Sequence, residues 1–155
     1  MGINPYQLES YVIEPVLHEL GLYSMGAVEL LLGTAAVESH MGHFIRQIQG
    51  PALGIYQIEP ATHDDIWTNY IAYRGDLLDS ISKVVNPDRL SDNMLVYNLQ
   101  YATVMCRIHY LRVPEKLPEV GDIFGQASFW KKHYNTKAGK GSVKGYIEAY
   151  GRYLK

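Results

Sequence analysis

Glu38 is the residue of this chain whose surroundings best suit it to act as an acid. It lies near the end of the segment 25–41, MGAVELLLGTAAVESHM, in which most side chains are apolar. Because a carboxylate is costly to bury in its ionised form, we expect the pKa of Glu38 to be raised. A carboxyl group that stays protonated near neutral pH can give its proton to a leaving oxygen. In the alternative interpretation, Glu38 reaches water or pairs with Arg46.

Two polar motifs follow the segment that contains Glu38. Residues 54–62 have the sequence GIYQIEPAT, and the pair Tyr134-Asn135 precedes a glycine-rich turn at 138–142. Glu38 itself opens a Glu-Ser-x-x-Gly pattern that ends at Gly42. The chain has 13 tyrosines and only 3 phenylalanines. Because tyrosine offers a flat apolar ring and a hydroxyl, this composition suits the binding of sugar rings.

In order and spacing, these motifs resemble those of the soluble lytic transglycosylases and goose-type lysozymes. The family patterns are Glu-Ser-x-x-Gly, Gly-Leu-Met-Gln-Ile-x-Pro-x-Thr and Ala-Tyr-Asn. The resemblance spans residues 38–135, and the run 52–67 is most similar to phage-encoded members. The chain departs from the patterns at His133, where Ala is usual, at Tyr56, where Met is usual, and at Glu59, where Met is common.

The resemblance implies roles for individual residues. Glu38 matches the catalytic acid, and Tyr134 matches the tyrosine that orients the catalytic carboxyl group. Ser39 matches a serine that supports this acid or contacts the substrate. The residues expected to bind substrate are Ser39, Tyr56, Gln57 and Asn135. The implied substrate is the β-1,4 bond between N-acetylmuramic acid and N-acetylglucosamine in the glycan strands of peptidoglycan.

Two mechanisms remain open from the sequence. In a transglycosylase, Glu38 alone serves as acid and base, and the 6-hydroxyl of muramic acid closes a 1,6-anhydro ring. In an inverting hydrolase, a second carboxylate about 6.5–9.5 Å away activates a water molecule. The candidates for that carboxylate are Glu59, Asp64 and Asp65, although the two aspartates also suit the positive end of a helix. A third possibility is an inactive cell-wall-binding or virion structural protein, since fold does not fix function.

The hydrophobic pattern predicts a mostly α protein, and the resemblance implies a single lysozyme-like domain over residues 1–155. Apolar residues recur at helical spacing through most of the chain. Residues 44–60 instead contain Gly-Pro, Leu-Gly and β-branched residues, which predict a small irregular β segment. The predicted helices cover residues 5–20 with an interruption at Pro15, 25–41, 63–73 with Thr62 as its cap, 76–84, 92–112, 114–119, 122–134 and 143–154.

Composition excludes several classes of protein. Hydrophobic residues make up 47% of the chain and charged residues 19%, which is too apolar for disorder. The one cysteine, Cys106, excludes an intrachain disulfide and a cysteine-based zinc site. We expect no membrane insertion, because no segment has the apolar length of a membrane span. We also expect no signal peptide, because residues 1–25 contain Glu9, Glu14 and Glu19 instead of a basic and then apolar leader.

The remaining patterns bear on partners and cofactors. Residues 131–155 carry seven basic residues and one acid, but the whole chain has a net charge of −2, and we expect no nucleic-acid partner. His40, His43 and His63 with Asp64 are the alternative metal ligands, but no His-Glu-x-x-His pattern is present. We therefore expect no metal and no cofactor. We also expect a monomer that acts on the bacterial cell wall, either carried in a phage particle or released at lysis.

Overall fold

The computed structural model describes residues 1–155, and 62% of them are helical. This confirms the mostly α prediction. The helices are α1 (Pro5–Leu8), α2 (Glu14–Leu20), α3 (Met25–Ser39), α4 (Pro60–Asn69), α5 (Gly75–Ser82), α6 (Met94–Tyr97), α7 (Leu99–Leu111), α8 (Ile123–Trp130) and α9 (Val143–Tyr153). Two π-helical turns, Glu9–Ile13 and Lys131–Asn135, and two 3₁₀ turns, Ile71–Tyr73 and Pro87–Arg89, complete the helical structure.

Helix α3 is the central element of the fold. Its N-cap is Ser24, whose hydroxyl accepts a hydrogen bond from the backbone N–H of Ala27 at 3.0 Å. Its side chains are buried on nearly every side, as predicted, because α3 packs against α7, α8 and α9. Gly33 lets α9 approach closely, since a Cβ atom at this position would collide with the hydroxyl of Tyr146. Seven of the 15 residues of α3 belong to a hydrophobic core of 31 buried residues.

Pro15 interrupts the regular α-helix as predicted, although the chain stays helical through the interruption. The backbone widens into the π-helical turn Glu9–Ile13, and the N–H of Glu14 donates to the carbonyl of Glu9. A proline in a regular helix collides with the carbonyl group four residues earlier. The wider turn just before Pro15 removes that conflict, and α2 continues to Leu20.

Asn98 divides the predicted helix 92–112 into α6 and α7. Its backbone is extended, and its side-chain oxygen accepts a hydrogen bond from the N–H of Tyr101 at 3.0 Å. Asn98 therefore starts α7 as an N-cap. The helix predicted at 114–119 is wrong, because this stretch is irregular. Pro118 lacks the backbone N–H that would bond to the carbonyl of residue 114 in such a helix.

The segment 44–60 forms a short irregular hairpin. Its only β pairings are two isolated antiparallel bridges, Arg46 with Leu53 and Leu53 with Ile58. Gly54 has φ +80° and lies against the backbone carbonyl of Leu95, where a side chain would not fit. Helix α4 follows directly and begins at Pro60, so Thr62 lies inside its first turn and is not its cap.

No helix in the structure combines the length and the apolar character that crossing a membrane requires. Cys106 lies in α7 and is completely buried. Burial in this apolar core raises the pKa of its thiol, so the group stays protonated.

Candidate active site

Glu38 lies in the last turn of α3 and is half-buried. The indole N–H of Trp130 donates a hydrogen bond to its Oε1 at 3.1 Å. Burial raises the pKa of Glu38 to about 7, and the hydrogen bond from Trp130 acts in the opposite direction. At neutral pH the carboxyl group can therefore donate a proton and accept one, as an acid–base catalyst must.

A strained turn fixes the position of Glu38. His40, Met41 and Gly42 follow α3 with φ values of 52°, 59° and 80°, which is three left-handed residues in succession. Ser39 holds this turn, since its hydroxyl accepts from the N–H of Gly42 at 2.8 Å and donates to the carbonyl of Ala35 at 3.1 Å. Ser39 is fully buried, so its assignment as a substrate-binding residue is wrong. It supports the turn after Glu38.

Tyr134 lies near Glu38 but does not hydrogen-bond to it. Its hydroxyl donates to the backbone carbonyl of Tyr56 at 2.6 Å. Its ring packs on Tyr110, with the ring centroids 5.1 Å apart, and on His109 at 4.4 Å. Contrary to the prediction, the Tyr134 hydroxyl is not bonded to the acid. Tyr134 connects the Lys131–Asn135 turn to the hairpin, and the bond to Glu38 comes from Trp130.

Tyr56 is a core residue, and its predicted contact with substrate is wrong for the side chain. The ring is fully buried, and its hydroxyl lies 2.9 Å from Oγ1 of Thr103 in α7. Because Oγ1 of Thr103 donates to the carbonyl of Leu99, the Tyr56 hydroxyl is the donor of this pair. Tyr56 anchors the hairpin to α7, which holds the neighbouring Gln57 in place.

Gln57 and Asn135 keep side-chain groups free for a ligand. Gln57 has φ 50°, and its amide donates to the carbonyl of Gly54 at 2.9 Å, while its side-chain oxygen forms no hydrogen bond within the protein. Asn135 accepts from the ammonium group of Lys131 at 2.7 Å, and its amide nitrogen has no acceptor. Both residues are half-buried. They are the two predicted substrate-binding residues that the structure leaves accessible.

The three candidates for the second carboxylate differ in the number of hydrogen bonds that their side chains already accept. Asp65 accepts from Arg112 at 2.7 Å and from Asn69 at 2.6 Å, and these hydrogen bonds lower its pKa. Asp64 accepts from the ring of His63 at 2.9 Å. Glu59 is exposed and forms no hydrogen bond or ion pair. None of the three contributes to the raised pKa of Glu38.

Trp130 is the site residue that the motifs did not identify. The sequence held a signal for it, because Trp130 lies four residues before Tyr134 in a predicted helix, and residues at this spacing share one face. The indole is 1% exposed and packs on Tyr146, with the ring centroids 5.5 Å apart. Gly141 lies against its outer edge, where a side chain would collide. Trp130 is thus a rigid donor.

The alternative metal ligands do not converge. The ring of His43 lies 2.9 Å from the backbone oxygen of Met1, and the ring of His63 lies 2.6 Å from the hydroxyl of Tyr101. His40 instead packs beside Phe44. The structure contains no group of three or more His, Cys, Asp or Glu residues arranged to hold a metal ion.

Two open grooves of about 510 and 560 Å³ lie on the surface, and neither includes Glu38. The first is lined by α2, α5 and α7, and the second by α1, α3 and α9. In comparisons with protein-family models, curated proteins and solved structures, the chain matches none of them. The motifs and the geometry around Glu38 are therefore the features that bear on function.

Proposed function

We propose that this protein cleaves the glycan strands of peptidoglycan as a lytic transglycosylase with a lysozyme-like fold. The observation that carries the proposal is the half-buried Glu38, whose pKa is raised to about 7 at the end of a buried helix. The order of the motifs supports the substrate class. Two hydrogen bonds connect the motifs in space. Trp130 donates to Glu38 of the first motif, and Tyr134 of the third motif donates to the backbone carbonyl of Tyr56 in the second.

In the proposed reaction, Glu38 performs both proton transfers. Its carboxyl group first protonates the oxygen that leaves C1 of N-acetylmuramic acid, and the N-acetyl group of this sugar stabilises the positive charge. The resulting carboxylate then removes the proton of the 6-hydroxyl, whose oxygen bonds to C1 and closes the anhydro ring. Glu38 regains its proton, so the cycle is complete. Trp130 stabilises the ionised intermediate state, since its N–H bonds best to a carboxylate.

An attached 6-hydroxyl competes well with water, because its attack is intramolecular. The hydrogen bonds that Asp64 and Asp65 already accept also favour a mechanism with one carboxylate. Both oxygens of Asp65 accept hydrogen bonds, from Asn69 and Arg112, and one oxygen of Asp64 is bonded to His63, so both carboxylates are less free than Glu59 to hold a water molecule. Gln57, with its free side-chain oxygen, and Asn135, with its free amide nitrogen, are the proposed sugar-binding residues.

A second candidate is an inverting muramidase, and one observation favours it. Glu59 is exposed, has no partner and follows Gln57 by two residues. It is the carboxylate of the three that is free to hold a water molecule on the far side of the sugar. In this case the products carry reducing ends of inverted configuration.

Mass spectrometry of digested peptidoglycan tests the proposal. We expect the parent to give 1,6-anhydro ends, one water lighter than reducing ends. Glu38→Gln should lose about 10²–10⁴-fold of the rate, while Glu59→Gln stays active. The matched control is Glu119→Gln, which removes an exposed carboxylate paired with Lys116.

Three outcomes contradict the transglycosylase proposal. Reducing ends alone, together with loss of activity in Glu59→Gln, identify a hydrolase. Full activity of Glu38→Gln moves the acid elsewhere. If no variant cleaves and the parent only sediments with cell walls, the protein is a cell-wall-binding module.

A phage origin and action on the bacterial wall belong to the same proposal.

A further inference from the structure

Lys131 opens the π-helical turn Lys131–Asn135, and its charge lies beside the predicted substrate-binding residue Asn135. Its ammonium group donates to the side-chain oxygen of Asn135 at 2.7 Å and to the backbone carbonyl of Gly139 at 3.1 Å. The side chain is half-buried and forms no ion pair. Both hydrogen bonds therefore go to uncharged oxygens, so Lys131 does not serve to neutralise a carboxylate.

The bond from Lys131 determines which end of the Asn135 amide faces outward. An ammonium group can only donate hydrogen bonds, so the atom of Asn135 that faces it has to be the oxygen. The amide nitrogen then lies on the side away from Lys131. It has no acceptor within the protein and is not fully buried, so a ligand can reach it. Asn135 is thus held as a hydrogen-bond donor toward a ligand.

Two glycines of the turn after Asn135 keep its amide in this arrangement. A Cβ atom at Gly139 would collide with the side-chain oxygen of Asn135. At Gly141, a Cβ atom would lie 3.0 Å from the amide nitrogen of Asn135 and would collide with the outer indole edge of Trp130. Gly141 therefore contacts both side chains. Because the indole N–H of Trp130 bonds to Glu38, the Asn135 amide and the proposed acid lie near opposite edges of one indole ring.

The charge of Lys131 also strengthens Asn135 as a donor. Hydrogen bonds in a chain polarise one another, by roughly 10–30% per bond, and this chain begins at a cation. Hydrogen bonds to an ionised group are also roughly twice as strong as those between neutral groups, so Lys131 holds the amide firmly. The sugars of a glycan strand present hydroxyl, ring and N-acetyl oxygens, which all accept hydrogen bonds. A fixed donor near the acid suits such a ligand.

We propose that Lys131 is a positioning residue of the substrate site, which holds Asn135 as a donor to an acceptor oxygen of the glycan. This inference rests on the proposed function, since it takes the glycan as the ligand. Lys131 acts through Asn135 and does not itself contact the sugar. The motif that contains Tyr134 and Asn135 does not extend to position 131, so the resemblance assigns Lys131 no role.

A double-mutant cycle on soluble, uncross-linked peptidoglycan strands tests the coupling. Lys131→Met and Asn135→Ala should each raise KM by about three- to tenfold with a smaller change in kcat, because each loses one hydrogen bond made in the bound complex. The double variant should be no worse than Asn135→Ala alone, because Lys131 acts through that side chain. Lys131→Arg should behave like the parent, since a guanidinium group also only donates. Lys132→Met is the matched control, because Lys132 is exposed and bonds to Glu115 instead.

Asn135→Asp separates binding from stability. A carboxylate at position 135 would pair with the Lys131 ammonium group, so the Tm should equal that of the parent or exceed it, while the donor is lost. We expect this variant to bind tri-N-acetylchitotriose more weakly by about threefold or more, measured from NMR chemical-shift changes. The side-chain NH₂ signals of Asn135, assigned by their loss in Asn135→Ala, should shift in the parent when the oligosaccharide binds.

Unchanged KM and binding in Lys131→Met overturn the inference. A defect of Lys131→Met that persists in the Asn135→Ala background also overturns it, because Lys131 would then act directly. If Lys131→Met does not fold, parent-like binding by Asn135→Asp still overturns it. A parent that binds the oligosaccharide without cleaving glycan disproves the proposed cleavage but not this inference. A parent that cleaves while Lys131→Met matches it disproves the inference alone, and one that neither binds nor cleaves overturns both.

Discussion

At the scale of single residues, the ionisation of Glu38 should be visible in the stability of the protein. Its pKa is about 7 in the folded chain and near 4.3 in an unfolded one. Between these values the folded state keeps a proton that the unfolded state has lost. The contribution of Glu38 to the free energy of unfolding is therefore fully present below pH 4.3. It decreases as the pH rises from 4.3 and is lost above pH 7.

The variant Glu38→Gln cannot ionise, so it should escape this loss. We expect it to be more stable than the parent by about 3–4 kcal/mol at pH 8.5, with a much smaller difference at pH 4. Urea unfolding at both pH values measures this. Glu59→Gln is the control, since Glu59 is exposed. A difference between Glu38→Gln and parent that is the same at both pH values contradicts the pKa assignment.

Trp130→Phe should raise the pKa of Glu38 further, because the indole N–H stabilises the ionised carboxylate. The loss of one hydrogen bond to a charged group corresponds to about one pH unit. NMR of a ¹³C-labelled glutamate carboxyl group, followed against pH, measures the midpoint directly. Trp67→Phe is the matched control, because its indole donates to Tyr101 instead. An unmoved midpoint in Trp130→Phe would remove Trp130 from the site.

At the scale of elements, Tyr134 connects the Lys131–Asn135 turn to the hairpin. Tyr134→Phe leaves the carbonyl of Tyr56 without its partner, so we expect a loss of about 1–2 kcal/mol in the free energy of unfolding. The midpoint of the Glu38 titration should stay in place. Urea unfolding and the same NMR titration separate these effects. A shifted midpoint with unchanged stability would return Tyr134 to the role of orienting the acid.

Gly33 determines how closely α9 packs against α3. Gly33→Ala should destabilise the fold by about 1–3 kcal/mol, because the added Cβ collides with Tyr146. Gly151→Ala in α9 is the matched control, since its Cβ meets nothing, and it should stabilise the helix by about 0.5–1 kcal/mol. Thermal unfolding of both variants checks the pair. Equal effects of the two substitutions would show that helix propensity decides both.

The sequence predicted those elements whose signal is local. Helix α3 was predictable because it is apolar all round, and α9 because Ser142 caps it after a glycine-rich turn. The division at Asn98 was missed, since the apolar stripe continues across it and only the extended backbone reveals the cap. Trp130 was missed for a related reason. Its bond to Glu38 joins residues 92 positions apart, and the motifs do not encode that distance.

At the scale of the whole molecule, the core joins elements from both ends of the chain. It runs from Leu8 in α1 to Phe129 in α8, and α9 covers α3 from outside. We expect one cooperative unfolding transition. Trp67 in α4 and Trp130 in α8 report on different regions. In Trp67→Phe and in Trp130→Phe, the midpoint from the remaining fluorescence should equal that from far-UV circular dichroism. Different midpoints would indicate separately unfolding parts.

The predicted charge asymmetry has a simple structural counterpart. The basic C-terminal segment is only partly paired, since Lys132 and His133 contact Glu115, and Lys144 lies 3.8 Å from Glu148. These lysines are exposed. The composition was enough to predict the charge of this segment but not the residues that contact it. Glu115, for example, lies in a loop that was predicted to be a helix.

The complete burial of Cys106 makes the chain convenient for chemical labelling. A thiol that is inaccessible and kept protonated reacts slowly with maleimides and with oxidants. A cysteine introduced at the exposed Tyr97 would then be the one reactive thiol, with no native cysteine to remove first. A dye or spin label attached there would report distances and binding on the intact core, and the fold would need no further engineering.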